Sequence, residues 1–185
     1  MSNLTTISSR YTKLGKNQHP LEAAEQRLAW AYLATIYPRV RGTADSDVNA
    51  LQEPTLQDYS YMVPNGTQLA GTGQRRAIQM ANLKVQGLRP GVSDMVIAYP
   101  IWDSIAGQCR YPGAYIEMKR VREAYAGPAA VRACVRKEQV DWLMLMCSVG
   151  YWVAIAYGAE EFKTLIGMYM RGDANPDLRF FRDVP

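Results

Sequence analysis

At 185 residues, 48% hydrophobic and 21% charged, the chain has the size and composition of one globular domain with arms, which excludes wholesale disorder. A single histidine, His19, excludes any metal site built from two of them. The net charge of +4 is mild but uneven: residues 75–137 carry 11 basic side chains against 4 acidic ones, so an anionic partner would meet the middle third.

In chain order, residues 1–18 read as a loose arm without an apolar stretch of signal-peptide length, so a cytoplasmic protein is expected. Pro20 suits a first helical turn, and Leu21 to Tyr37 reads as a helix stopped by Pro38, with Leu21, Ala24, Leu28, Ala31, Tyr32 and Thr35 facing inward. Residues 39–58 are polar and aperiodic, a surface insertion. Tyr59 to Val63 is a short strand candidate, and Pro64-Asn65-Gly66 a turn. Arg75 to Gln86 is a basic helix ended by Gly87. A turn at Gly91 feeds an apolar strand through Tyr99, and a loop with Gly107, Pro112 and Gly113 leads to a second strand, Ala114 to Lys119. A long basic segment, 120–136, precedes a helix from about Lys137 to Val149. The strand Tyr151 to Tyr157 and a helix from Ala159 to about Met170 follow, and 173–185 form a tail. The run from Val140 to Tyr157 is the most apolar, but Asp141 and Gly150 interrupt it, so a helix and a buried strand are expected and no membrane span. This order predicts a mixed α/β fold, a central sheet covered by helices.

Cys109, Cys134 and Cys147 are widely spaced with no C-x-x-C pair, which argues against zinc and against a disulfide framework. No phosphate-binding glycine loop is present, so no nucleotide cofactor is expected.

The residues that carry chemistry sit on two strands. Asp94 stands at the mouth of one. Glu117 and Lys119 lie in the other at i and i+2, and so project from the same face. Charges inside an apolar strand are costly unless paired or holding a metal. If the strands lie side by side, two carboxylates and an ammonium converge, which is the minimum set for a hard divalent cation. An internal Glu117–Lys119 salt bridge is the alternative. The spacing alone carries little, because it recurs at Glu161-Phe162-Lys163; there the chain is helical, the two positions diverge, and surface charge is expected.

Six motifs then follow one another in order: Glu22-x-x-x-Gln26; Val63-Pro-Asn-Gly66; Leu83-Lys-x-x-Gly-Leu-x-x-Gly-Val-Ser-Asp94; Gly113-Ala-Tyr-Ile-Glu-Met-Lys119; Gln139-x-x-Trp-Leu143; and Gly150-Tyr-Trp-Val-Ala-Ile. Together they resemble the VRR-NUC nucleases, a branch of the PD-(D/E)XK superfamily typified by small phage proteins. The resemblance runs from about Leu21 to Met170 and implies a nuclease domain over 19–172 with a restriction-endonuclease-like core. It implies metal coordination by Asp94 and Glu117, with Lys119 as catalytic lysine and Gln139 supporting the site. Glu22 matches the first-helix glutamate that reaches toward the metal, although Glu25 could take that role. All-oxygen ligation points to Mg²⁺ or Mn²⁺.

The implied activity is endonucleolytic cleavage of branched DNA, a Holliday junction or flap, by a homodimer. The other reading is a DNA-structure-binding or assembly protein with an idle site. Arg75, Arg76, Lys84 and Arg89 are expected on backbone phosphates. Two departures from the family pattern stand out: Ser93 in place of the usual proline, and the length of 120–136. That segment, with Arg120, Arg122, Arg132 and Arg136, reads either as a DNA-contacting flap or as a solvated insertion.

Overall fold

The computed structural model describes residues 19–38, 54–63, 73–103 and 105–181. The expected N-terminal arm, most of the 39–58 insertion and the Pro64-Asn65-Gly66 turn lie outside these residues. The elements are α1 (Glu22–Leu33), β1 (Ser60–Met62), α2 (Gln74–Val85), β2 (Met95–Ile97), β3 (Ile101–Trp102), β4 (Cys109–Tyr111), β5 (Ala114–Lys119), α3 (Pro128–Ala133), α4 (Lys137–Ser148), β6 (Trp152–Tyr157) and α5 (Gly158–Arg171).

The main sheet runs β1-β2-β5-β6. Its first three strands are antiparallel, and β6 joins β5 in parallel. A parallel neighbour needs a crossover, which α3 and α4 provide. Alternation along β5 divides the molecule into layers. Ile116 and Met118 enter a core with Ala29 and Leu33 of α1 and Phe162, Ile166 and Tyr169 of α5. The opposite face of the sheet presents Val153, Ile155 and Tyr157 to Val131, Val140 and Leu143 of α3 and α4. Each large apolar side chain enclosed this way contributes about 1.5–3 kcal/mol. The mixed α/β architecture is the expected one, and no helix among the described residues is long and apolar enough to cross a membrane.

Several details depart from the sequence reading. α1 ends at Leu33, four residues early, where the Thr35 hydroxyl donates to the Tyr32 carbonyl and diverts the last turn. Its deepest positions are Glu25, Ala29 and Leu33, whereas Leu21, expected inside, is 70% exposed. The loop after Tyr99 is a hairpin, β3 with β4. Residues of the expected tail fold back: Leu178 and Phe181 join the second core, and the Asn175 side-chain oxygen accepts the Val153 N–H on the open edge of β6. The 120–136 segment is not solvated along its whole length. α3 lies within it, Val131 and Val135 are buried, and Tyr157 donates its hydroxyl to the Val131 carbonyl at 2.9 Å.

Candidate active site

The antiparallel register of β2 and β5 pairs Met95 with Ile116 and Val96 with Tyr115. Carried one residue further, it sets Asp94 directly opposite Glu117 on the same face. Both are enclosed, Asp94 at 2% and Glu117 at 0% exposure. The Met118 N–H donates to Asp94 Oδ2 at 2.8 Å, tying the acid to the neighbouring strand. The loop before Asp94 has one permissible shape. Gly91 is in the left-handed region at φ 79°, and a Cβ there would stand 2.2 Å from the Glu138 carbonyl oxygen. That contact presses the loop onto the first turn of α4, which carries Gln139.

Gln139 is buried at N3 of α4, and its amide is oriented at both ends. Oε1 accepts the Arg136 N–H at 3.0 Å, an orphan donor of the helix N-terminus. Nε2 is therefore the end that donates to Glu117 Oε1. Lys119 Nζ donates to the same oxygen at 2.6 Å and stands 3.9 Å from Glu22 Oε2. The structure thus gathers Asp94, Glu117, Lys119, Gln139 and Glu22, the five site residues expected from the sequence.

Glu117 Oε2 is buried and receives no hydrogen bond from a donor, its carboxyl facing that of Asp94. Among the described residues two other enclosed side-chain polar atoms lack a hydrogen-bond partner, Ser93 Oγ and Trp142 Nε1. Ser93 adjoins Asp94, and Trp142 is one turn along α4 from Gln139. Buried polar groups in proteins are paired as a rule, so an orphaned carboxyl oxygen opposite a second acid marks a candidate site. The charges respond accordingly. Burial first, and then Asp94, push the Glu117 carboxyl up to about 8 against the pull of Lys119. Glu22 is also raised, by burial above all and further by Asp94, with Lys119 opposing. Burial works to lower Lys119, but Glu117, Glu22 and Asp94 outweigh it and hold the ammonium above its ordinary range.

A chemical test of fit follows. Two carboxyl groups face one another, and without metal Glu117 is kept protonated to about 8; a divalent cation suits that oxygen donor set once the proton leaves. Among the described residues no three acidic, histidine or cysteine side chains form a ready cage, since Glu22 lies across Lys119 from the pair.

A solved structure described as a VRR_NUC domain protein superposes with TM-score 0.55, covering 86% of this chain and 95% of that one at 16% identity. The chain has the VRR_NUC fold. No protein-family model matches the sequence, and no curated protein sequence matches it.

On this VRR_NUC fold the two acids of α1 have separate positions. Glu25 turns inward, and its Oε2 accepts the Ala159 N–H at 2.8 Å. It thereby caps α5, whose own N-cap, Tyr157, supplies no side-chain bond. The sequence held a signal for this: α5 begins at Tyr157-Gly158 without Ser, Thr, Asp or Asn, so its N–H groups need an acceptor from elsewhere. Gly158, at φ 84°, leaves the required room, because a Cβ there would meet Val121 Cγ1 at 2.6 Å.

The expected phosphate contacts divide. Arg120 donates to the Pro20 and His19 carbonyls at 3.1 and 3.2 Å, anchoring the chain entering α1. Arg122 makes a two-pronged pair with Glu161 and lies 4.0 Å from the centre of the Tyr157 ring. Both are occupied in holding the fold, which a linear reading of charge does not reveal. Arg75 and Lys84 are exposed on α2, while the Arg76 side chain lies outside the described residues. Arg89 lies over the Trp142 ring at 5.6 Å. An open cleft of about 580 Å³, lined by Glu22, Gln26, Met62, Val63 and Arg120, begins beside Lys119.

Proposed function

We propose that the chain is a Mg²⁺- or Mn²⁺-dependent endonuclease that hydrolyses phosphodiester bonds of branched DNA as a homodimer. The observation that carries the chemistry is Glu117: a carboxyl group buried opposite Asp94, with one oxygen fixed by Gln139 and Lys119 and the other receiving no hydrogen bond from a donor. Asp94 and Glu117 would hold the cation, which when bound supplies a low-pKa water and offsets charge developing on phosphate.

The protein's own groups prepare that chemistry. Gln139 and Lys119 take Oε1 of Glu117, so Oε2 is the atom left to face a cation. Lys119, held between Glu117 and Glu22, brings a fixed positive charge to the attacking water and the phosphate. Glu22, half-exposed at the edge of the cleft, is placed to accept from a water bound there. The cleft gives a backbone strand a route to Lys119. Arg75, Lys84 and Arg89 add sequence-blind, salt-sensitive attraction. Branched substrate and two-fold pairing rest on the family resemblance, and two symmetric scissile strands match a two-fold dimer.

The experiment is incubation of purified protein with four-way junction, flap and linear duplex under Mg²⁺ or Mn²⁺, with and without chelator. Cleavage of branched DNA that stops with chelator and with Lys119→Ala supports the proposal. Tight binding with no product under either metal assigns the chain instead to DNA-structure binding.

A further inference from the structure

The sheet face bearing the acids continues away from them as a row of aromatic rings. Tyr115 is two residues before Glu117 on the same strand, so its ring leaves that face about 7 Å from the acid. The register Tyr61–Val96–Tyr115 places Tyr61 on the same face two strands over, and Tyr61 is 53% exposed. On the other side Tyr115 meets Trp142 edge-on, centres 5.9 Å apart, and Tyr151 edge-on at 5.1 Å. These two T-shaped contacts hold the Tyr115 ring in place. Arg89 closes the row over Trp142.

A strip of rings, Tyr61 exposed and Tyr115 and Trp142 half-buried, next to a buried pair of acids and with an arginine at its far end, has the parts of a single-strand track: flat faces for bases and a cation for the backbone. We infer that Tyr61, Tyr115 and Trp142 form a stacking shelf for unpaired bases of the strand entering the Asp94–Glu117 site, with Arg89 on its phosphate. This rests on the nuclease reading and gives its substrate a feature: nucleotides beside the cut that are not base-paired. The spacing agrees, since about 7 Å from Tyr115 to Glu117 is the length of one extended nucleotide. A fully paired duplex would offer base edges and sugars to the shelf, and stacking would be lost.

The test uses the full chain in chelator, so that binding is read without cleavage. Three labelled probes are titrated: a short oligo-dT, the same strand carrying abasic sites, and a blunt duplex. For wild type, oligo-dT binds more tightly than the abasic strand and quenches tryptophan fluorescence, and that quench is missing in Trp142→Phe. Tyr61→Ala weakens oligo-dT about ten-fold and leaves the abasic strand and the duplex within about two-fold. Tyr61→Phe, which keeps the ring, retains wild-type binding. Arg89→Gln weakens oligo-dT and abasic strand alike and lowers the salt dependence by about one counterion.

Equal losses on all three probes for Tyr61→Ala, or equal wild-type affinity for oligo-dT and the abasic strand, overturn the shelf. So does sedimentation showing that Tyr61→Ala dissociates a dimer, because a second copy would then cover these rings. Should the Tyr61→Ala chain fail to fold, the wild-type comparison of oligo-dT with the abasic strand decides. Metal-dependent cleavage without preference for bases leaves the nuclease and removes the shelf. Base-dependent binding without cleavage under any metal does the reverse.

Discussion

Glu117-Met118-Lys119 and Glu161-Phe162-Lys163 share a spacing and an apolar middle residue, yet in the folded chain their charges go to opposite fates. On β5 the two charges leave the same face and meet at 2.6 Å in the interior. On α5 two residues subtend slightly more than half a turn, so Glu161 reaches Arg122 while Lys163 turns to Glu160. Phe162 is buried in the first core just as Met118 is. The backbone period decides whether an acid-x-Lys triplet concentrates charge or disperses it. Only the concentrated form buries an ammonium against a carboxyl group.

The largest expected effect falls on the strand copy. Lys119→Ala lowers the cleavage rate by about 10²–10³-fold or more, measured in single-turnover assays, while circular dichroism stays native. Lys163→Ala leaves cleavage within about two-fold. Equal losses from the two would break the contrast.

Glu117→Gln separates stability from activity. In the folded, metal-free protein Glu117 holds its proton up to about 8, against 4.5 for the ordinary carboxyl. The native state therefore binds more protons than the unfolded chain between these values, and metal-free stability falls as pH rises from about 4.5 to about 8. Glu22 shifts in the same direction, and Lys119, raised from 10.5, acts above this window. Scanning calorimetry in chelator should record the fall, and Mg²⁺ or Mn²⁺ should restore more at pH 8 than at pH 5. Glu117→Gln should flatten the pH profile, raise Tm at pH 8 and abolish cleavage. A Tm that climbs between pH 5 and pH 8 in chelator would contradict the buried, proton-holding Glu117.

Smaller effects separate the two acids of α1. Glu25→Ala should cost about 1–2 kcal/mol in urea melts through the lost cap on α5. Glu22→Gln should leave stability within about 0.5 kcal/mol and lower cleavage. Smallest of all, Lys163→Ala should shift stability by under about 0.5 kcal/mol, the usual worth of an exposed helical ion pair.

The strands and helices that build the site were legible because their patterns are strong: Ala114 to Lys119 occurs as expected, and the helix carrying Gln139 and the strand after Gly150 fall within a residue of their expected bounds. The convergence of Asp94 on Glu117 was legible only as a condition, since strand pairing is a long-range choice. Glu25 was hidden because an inward stripe is sought among apolar residues, and an acid whose partner is a backbone N–H 134 positions away does not fit that search. The structural engagements of Arg120 and Arg122 were hidden for a related reason. Their charge is visible in the sequence, but their partners, the His19 and Pro20 carbonyls and Glu161, are not. The β3–β4 hairpin was missed because strands of two and three residues leave no periodicity to detect.

The returning segment after α5 has a consequence for handling the protein. β6, Trp-Val-Ala-Ile-Ala-Tyr, is uncharged, rich in β-forming residues and lies at the sheet's rim. Asn175 occupies a main-chain donor on that rim, and the Asp173 carbonyl takes the Trp152 indole N–H. A chain cut after Gly172 would keep every residue of the acid site but bare a sticky six-residue edge. Shortened versions trimmed to the elements around Asp94 and Glu117 should therefore precipitate or form fibrils where the full chain does not.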